Sequence, residues 1–492
     1  MVGEIMSDVA PRVATGDIAP GGTQEVELKR VLGPIQLIML GIGAIVGAGI
    51  FVITGHAAAE HAGPAVVISF VLAGTGCLFA GLCYAEFASM IPVAGSAYTY
   101  AYATMGGFIG WFIGWNLVLE YLVAASTVAV GWSGYFTDLL QGMGVVIPAA
   151  LSHAPIDIAG THEIHLTGAL INLPAAAIVL FLTAVLVVGV RESATFNGLM
   201  VLIKVAVVLA VIVFGFSHIK MENLTPFIPP NTGTYGQFGW SGILAASGLI
   251  FFAYIGFDAV SVAAQEAKNP QRDMPIGILG SLFICTILYI LMALVLTGIV
   301  PYQSLSSELT AHPVSTAVNS IPDLAWLGSL VNVGATVGLA SVIFVSLYGQ
   351  SRIFYAMARD GFIPPLFSQV HPKFRTPHRG TIITGVFATV LAALFPLDIL
   401  GELVSIGTLL AFAVVCLGIL VLRVQRPNAK RHFRTPYAWI VAPLGVLACG
   451  AMMYGLPEGT WWRLGIWTAI GFIIYFVYGA WHIKKPQWKI EE

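Results

Sequence analysis

Apolar residues run in long stretches along this chain, separated by short polar turns, and the runs are of helix length rather than strand length. About 20 consecutive apolar residues cross a bilayer as a helix. Such runs lie near 35–60, 64–90, 98–128, 170–190, 194–216, 239–266, 275–300, 326–357, 380–396, 399–423, 437–456 and 461–481. They predict an all-α membrane protein of about twelve transmembrane helices, with both termini on one side. A transmembrane barrel would show short segments of alternating polarity instead.

Two of these runs are poor helices. The first contains Gly41, Gly43, Gly47 and Gly49, and each glycine costs a helix about 1 kcal/mol relative to alanine. Loosened backbone in a bilayer has no water to satisfy its polar groups, so it survives only where protein buries it or it lines a wet cavity. One reading is a discontinuous helix whose broken centre binds a ligand. The other is a continuous helix in which Gly43 and Gly47 form a close-packing pair. The sixth run repeats the oddity in Phe251-Phe-Ala-Tyr-Ile-Gly-Phe-Asp258. Two interrupted helices, one opening each group of five, point to an inverted-repeat transporter with its site at the midplane. That favours the first reading.

Composition agrees with a membrane setting. The chain is 58% hydrophobic and 9% charged, with a mean hydropathy of +0.88, whereas soluble domains carry about 25% charged residues. A net charge of −2 argues against nucleic acid as a partner. All five cysteines lie in apolar runs and read as small buried hydrophobes. The first thirty residues lack a basic start followed by an apolar core, so no cleaved signal peptide is expected.

Charge also tests the helix count. With both termini inside, every Lys and Arg falls on the cytoplasmic side except Lys220 and Arg463, which fall outside, and Lys204, which lies within a span. The expected organisation is a cytoplasmic tail over 1–34, one transporter domain over 35–482 and a second cytoplasmic tail over 483–492. Within the domain, repeats cover about 35–216 and 239–423, and two extra helices lie within 437–481. The expected location is the plasma or inner membrane.

The outer loops are 138–168, 217–238 and 301–325. Thr161-His-Glu-Ile-His165 looks like a metal-binding tract but lacks the two-residue spacer of a zinc protease helix, and it reads as a solvated loop. Asn223-Leu-Thr225 fits a glycosylation acceptor, with Pro226 next in the chain.

Intramembrane polar residues carry the candidate chemistry. Lys204 sits far from either end of the fifth run, and an intramembrane charge is a functional candidate by default. An amine there can shed its proton as its surroundings change, because burial disfavours the charged form. It is either a coupling-ion carrier or a permanently charged staple for broken-helix carbonyls. Glu120 lies within the third run as a second proton carrier, a partner for Lys204, a counter-charge to a cationic substrate or a packing hydrogen bond. Gly106, Gly110 and Gly114 on the same run read as a close-packing face. Glu86 and Asp258, nearer the cytoplasmic ends, are gate contacts or solvated termini. The sequence holds no Walker sequence, nucleophile elbow or HExxH, so neither enzyme chemistry nor a cofactor or metal is expected.

Three segments together resemble one family: Gly43-Ala-Ile-Val-Gly-Ala-Gly-Ile-Phe51; Phe257-Asp-Ala-Val-Ser261 running into Glu266-Ala-Lys-Asn-Pro-Gln-Arg-Asp-Met-Pro-Ile-Gly277; and Gly349-Gln-Ser-Arg-Ile-Phe-Tyr-Ala-Met-Ala-Arg-Asp-Gly361. They are similar to the amino acid–polyamine–organocation transporters, on the bacterial side of the cationic amino acid transporter branch. The resemblance implies a five-plus-five inverted repeat with first and sixth helices broken, and two further helices after it. It implies that the amides of Gly47, Ala48 and Gly49 take the substrate carboxylate, in keeping with the free donors and partial positive charge of a helix start. The carbonyls of Ile45, Phe252, Ala253 and Ile255 would accept the substrate ammonium. Lys204 would stand near the carbonyl of Gly43, where an amine replaces sodium in proton-coupled members. Ala48 departs from the Ser or Thr of several relatives, so backbone amides must suffice.

By the same resemblance, Ser346 borders the side-chain end of the pocket, where a small residue leaves length for arginine or lysine and Glu120 could meet a distal charge. The expectation is a proton-coupled uptake carrier for amino acids, cationic or broadly neutral, acting as a monomer by alternating access. A proton-independent exchanger is the first rival, and a channel or non-transporting sensor the rival of another class. Expected partners are the amino acid, protons and the lipid bilayer; a small accessory membrane subunit is left open.

Overall fold

The computed structural model describes residues 32–91, 95–159, 163–188, 193–264, 267–306, 310, 312–374 and 376–484. Most of both expected tails, with Arg12, Lys29, Arg30, Lys485 and Lys489, lies outside the described residues, as do Thr161, His162, Arg191 and Arg375.

The principal helices are α1 (Pro34–Ile45), α2 (Val66–Met90), α3 (Ser96–Met105), α4 (Gly107–Gly142), α5 (Leu173–Val188), α6 (Ser193–Phe216), α7 (Gly239–Ile250), α8 (Pro270–Ile299), α9 (Ala325–Arg359), α10 (His378–Leu394), α11 (Leu397–Gln425), α12 (Ala438–Tyr454) and α13 (Glu458–Ile474). Eight helical runs among the described residues are long and apolar enough to cross a membrane. Four shorter apolar helices, Pro34–Ile45, Leu173–Val188, His378–Leu394 and Ala438–Tyr454, accompany them.

The third span is displaced from its expected 98–128. Gly106, at φ +85°, ends α3 and starts α4, a backbone setting that favours glycine. Gly106 therefore forms a turn and is no part of a packing face. Gly110 and Gly114 do pack closely, against Tyr102 and against Met357 and Tyr98. At 36 residues, α4 is about 54 Å long at 1.5 Å per residue.

The all-α expectation also needs one amendment. Ile156–Ala159 and Glu163–Leu166 pair as an antiparallel hairpin, Ile156 opposite Leu166 and Ala159 opposite Glu163. Glu163 and His165 thus belong to a strand, and no cluster of metal-ligating side chains occurs among the described residues.

Packing places the interrupted spans at the centre. Helix α8 lies against α1 and α2, and α9 lies against α4 and α6. The five cysteines are buried and free. Large apolar side chains such as Phe181, Val213, Phe283, Phe387 and Ile473 face outward, which suits a hydrocarbon solvent.

Candidate functional site

Both interrupted spans are broken. Helix α1 stops at Ile45, Val46 turns extended (ψ 96°), and helical geometry resumes at Gly49 in a widened turn, Gly49–Ile53. In the other span α7 stops at Ile250, a tight turn covers Phe251–Tyr254, Ile255 is extended, and a short helix comes next over Ala259–Val262. Gly256 carries φ +119°, and a Cβ there would lie 2.8 Å from that of Ala44. Only glycine fits both the torsion and the space. The breaks meet at Gly49, where an added methyl would collide with Cα and Cβ of Ala253.

Breaking a helix leaves donors and acceptors unpaired. Among the described residues the amides of Gly47, Ala48 and Gly49 donate to no backbone carbonyl. They form the start of the outer half-helix, with its partial positive charge. The freed carbonyls are taken up differently. Lys204 Nζ donates to Gly43 O at 2.6 Å, Val46 O at 2.8 Å and Ser341 Oγ at 3.0 Å. All three ammonium hydrogens thus have partners, and the side chain is fully buried. The carbonyls of Ile45 and Ala253 each lie 2.7 Å from the Tyr289 hydroxyl.

A cavity opens between the breaks. Ile45, Gly47, Ala48, Gly49, Phe252, Ile255, Glu120 and Ser346 line it, and Ala253 and Gly43 do not. Its walls are otherwise mainly apolar, from Ala124 and Val128 of α4 and Val342 and Val345 of α9. One end is acidic. Asp258 lines the cavity beside Glu120, its carboxyl group against the glutamate's. Tyr121 donates to Asp258 Oδ2 at 2.6 Å. Among the described residues Glu120 has no hydrogen-bond partner besides Asp258, and both side-chain amide atoms of the buried Gln350 have none. Glu120 and Tyr121 occupy a second widened turn, Leu119–Val123, a local geometry frequent at functional sites.

Glu86 lies elsewhere. It is fully buried and accepts from Arg423 Nη2 at 2.7 Å, Arg431 Nε at 3.1 Å and the Thr435 amide at 2.7 Å. Neither Glu86 nor Asp258 is a solvated terminus. Sequence reasoning missed Tyr289, Tyr121 and Gln350. A tyrosine deep in an apolar run was the available signal for Tyr289, since a buried hydroxyl seeks a partner.

The sequence matches the amino acid permease family over residues 32–478. It is 46% identical to the methylthioribose transporter of Bacillus subtilis (strain 168), across 92% of this chain and 94% of that protein. It is 44% identical to the branched-chain amino acid permease BcaP of the same organism, across 96% and 97%. Identity to the vacuolar cationic amino acid transporter 4 of Arabidopsis thaliana is 38%, across 82% of this chain and 64% of the longer relative. These relatives are transporters rather than enzymes. The matched region takes in the broken spans, Lys204 and the cavity between them, and the chain belongs to the amino acid permease family as a multi-pass membrane protein.

Proposed function

We propose that this permease is a proton-coupled carrier that takes up L-amino acids by alternating access. One observation carries the reading: two broken spans touch at Gly49 and Ala253, with free amides on one side and the Lys204 ammonium on the freed carbonyls. The amides of Gly47, Ala48 and Gly49 take the substrate carboxylate. The cavity-lining residues Ile45, Phe252 and Ile255 offer their carbonyls to its ammonium, and the Ala253 carbonyl stays with Tyr289. Loss of the Lys204 proton would weaken its hold on Gly43 and Val46, loosening the break that leads into the outer half-helix, and so couples proton to substrate.

Apolar walls from Ala124, Val128, Val342 and Val345, with the 44% identity to BcaP, support short branched apolar side chains as substrates. The acidic end formed by Glu120 and Asp258 supports a second reading, a cationic side chain, as does the likeness to cationic amino acid transporters. Eight long and four shorter apolar helices suit a twelve-span carrier with a five-plus-five repeat. On this reading the protein works as a monomer in the plasma membrane, both termini in the cytoplasm and Asp258 near the inner gate.

Radiolabelled leucine, alanine and lysine uptake by purified protein in liposomes tests it. Accumulation driven by an imposed pH gradient is expected, with leucine preferred. Counterflow that ignores the gradient would select the exchanger.

A further inference from the structure

A second cavity, of about 650 Å³, opens between the start of α8 and the segment joining α11 to α12. This is the end of the bundle where α1 begins, since Leu32 pairs with Ala267 just before α8. Arg272 and His432 stand at its rim, and Pro275, Ile276, Leu279 and Phe433 form its apolar walls. Arg272 makes no ion pair among the described residues. The nearest carboxylate in sequence, Asp273, is buried and faces the Asn269 amide.

The wall opposite α8 is held firmly. Arg431 and Thr435 bind Glu86, and the Phe433 amide donates to Ser89 Oγ at 3.2 Å. Below the rim, Ile276, Phe283 and Ile287 are exposed. With Leu279 their spacing of three and four places them on one face of α8. Polar capacity is also spare at the mouth. Pro275 has no N–H, which leaves the Gln271 carbonyl without its usual donor four residues on. Exposed Tyr437 and Trp439 at the start of α12 mark the level of a membrane interface.

We infer that this groove seats one anionic phospholipid of the adjoining leaflet. Its phosphate lies between Arg272 and His432, a headgroup hydroxyl donates to the Gln271 carbonyl, and an acyl chain runs along Ile276, Phe283 and Ile287. Charge complementarity and the apolar stripe together select an amphiphile over a soluble anion. The seat joins α8, which packs on α1, to a segment anchored on α2.

Native mass spectrometry of delipidated protein with added dioleoylphosphatidylglycerol or dioleoylphosphatidylcholine tests the inference. One phosphatidylglycerol should bind at least about fivefold more tightly than phosphatidylcholine, the order expected of one basic residue at a lipid surface. Arg272→Gln should erase about fivefold of that preference. Ile276→Trp, which fills the groove and leaves the charges in place, should weaken both lipids. Equal binding of the two lipids by the unaltered protein, or an unchanged preference in Arg272→Gln, would overturn the assignment. So would glycerol 1-phosphate competing as effectively as the whole lipid, which would mark a soluble-anion site. Should Arg272→Gln not fold, His432→Gln and Ile276→Trp decide on the same readouts.

Discussion

Gly49 and Ala253 are in direct contact, Gly49 where the first broken span regains helical geometry and Ala253 in the tight turn that ends α7. The contact leaves no room for a side chain. Gly49→Ala should therefore separate the two breaks, at an overpacking cost of about 1–3 kcal/mol. Substrate-induced thermal stabilisation of the purified variant should disappear while its elution on gel filtration stays that of the folded protein. Full stabilisation by substrate would count against a site between the breaks.

Lys204→Met removes three hydrogen bonds and leaves the Gly43 and Val46 carbonyls unpaired. Each buried orphan costs about 1–3 kcal/mol, so the melting temperature should fall. Accumulation driven by a pH gradient in liposomes should be abolished. Accumulation at the level of the unaltered protein would refute the coupling role.

Tyr289→Phe deletes one hydroxyl and leaves the ring in its packing with Phe70 and Tyr254. A hydrogen bond of this kind contributes about 0.5–1.5 kcal/mol. The expected result is a KM for uptake raised by about 2–10-fold, read from initial rates. An unchanged KM and kcat would show that the bridge is irrelevant to binding.

Glu86→Gln breaks a buried ion pair and strands two arginines. Removing one partner of such a pair costs about 3–5 kcal/mol. Thermal stability should drop sharply, and the KM of whatever protein folds should not change, because Glu86 lies outside the substrate cavity. A normal melting temperature with altered transport would make Glu86 a gate instead of an anchor.

His312 opens the short helix Pro313–Asn319, with Nε2 3.7 Å from Asp138 Oδ1. Burial pushes its pKa below the ordinary histidine value, against the upward pull of Asp138. The unfolded chain therefore takes up this proton more readily than the fold does. The resulting stability is fully present above the unfolded value of about 6.5 and is lost as pH falls through the lowered folded value. Melting temperatures between pH 7.5 and 5 should fall less steeply for His312→Gln than for the unaltered protein. Parallel curves would remove His312 from the account.

Much of this arrangement was legible in the residues, because the bilayer penalises what a soluble core tolerates. Four glycines within nine positions, an ammonium in an apolar run and a glycine two residues before Asp258 each break a rule that membrane helices otherwise keep. The resemblance then supplied the pairing of Lys204 with the Gly43 carbonyl. The third span was misplaced because Ser96–Met105 is helical and carries no charge, so it reads as continuous with the more apolar start of α4. Only the torsion at Gly106 separates the two, and composition does not encode torsion. Tyr289 stayed hidden for a related reason. Its importance lies in which carbonyls it meets, and those belong to segments distant in sequence. The acidic end was half visible: Glu120 stood out, whereas Asp258 looked like a helix end near water and is sealed.

The Tyr289 hydroxyl owns a single hydrogen and faces two oxygens at equal range. At any instant one of them goes without it. Rotating a hydroxyl is fast and cheap compared with moving a helix, so the vacancy can pass between the two halves of the site without any rearrangement of the chain. On the proposed reading, an amine that enters beside Ile45 takes the oxygen facing the cavity, and the hydroxyl turns to Ala253.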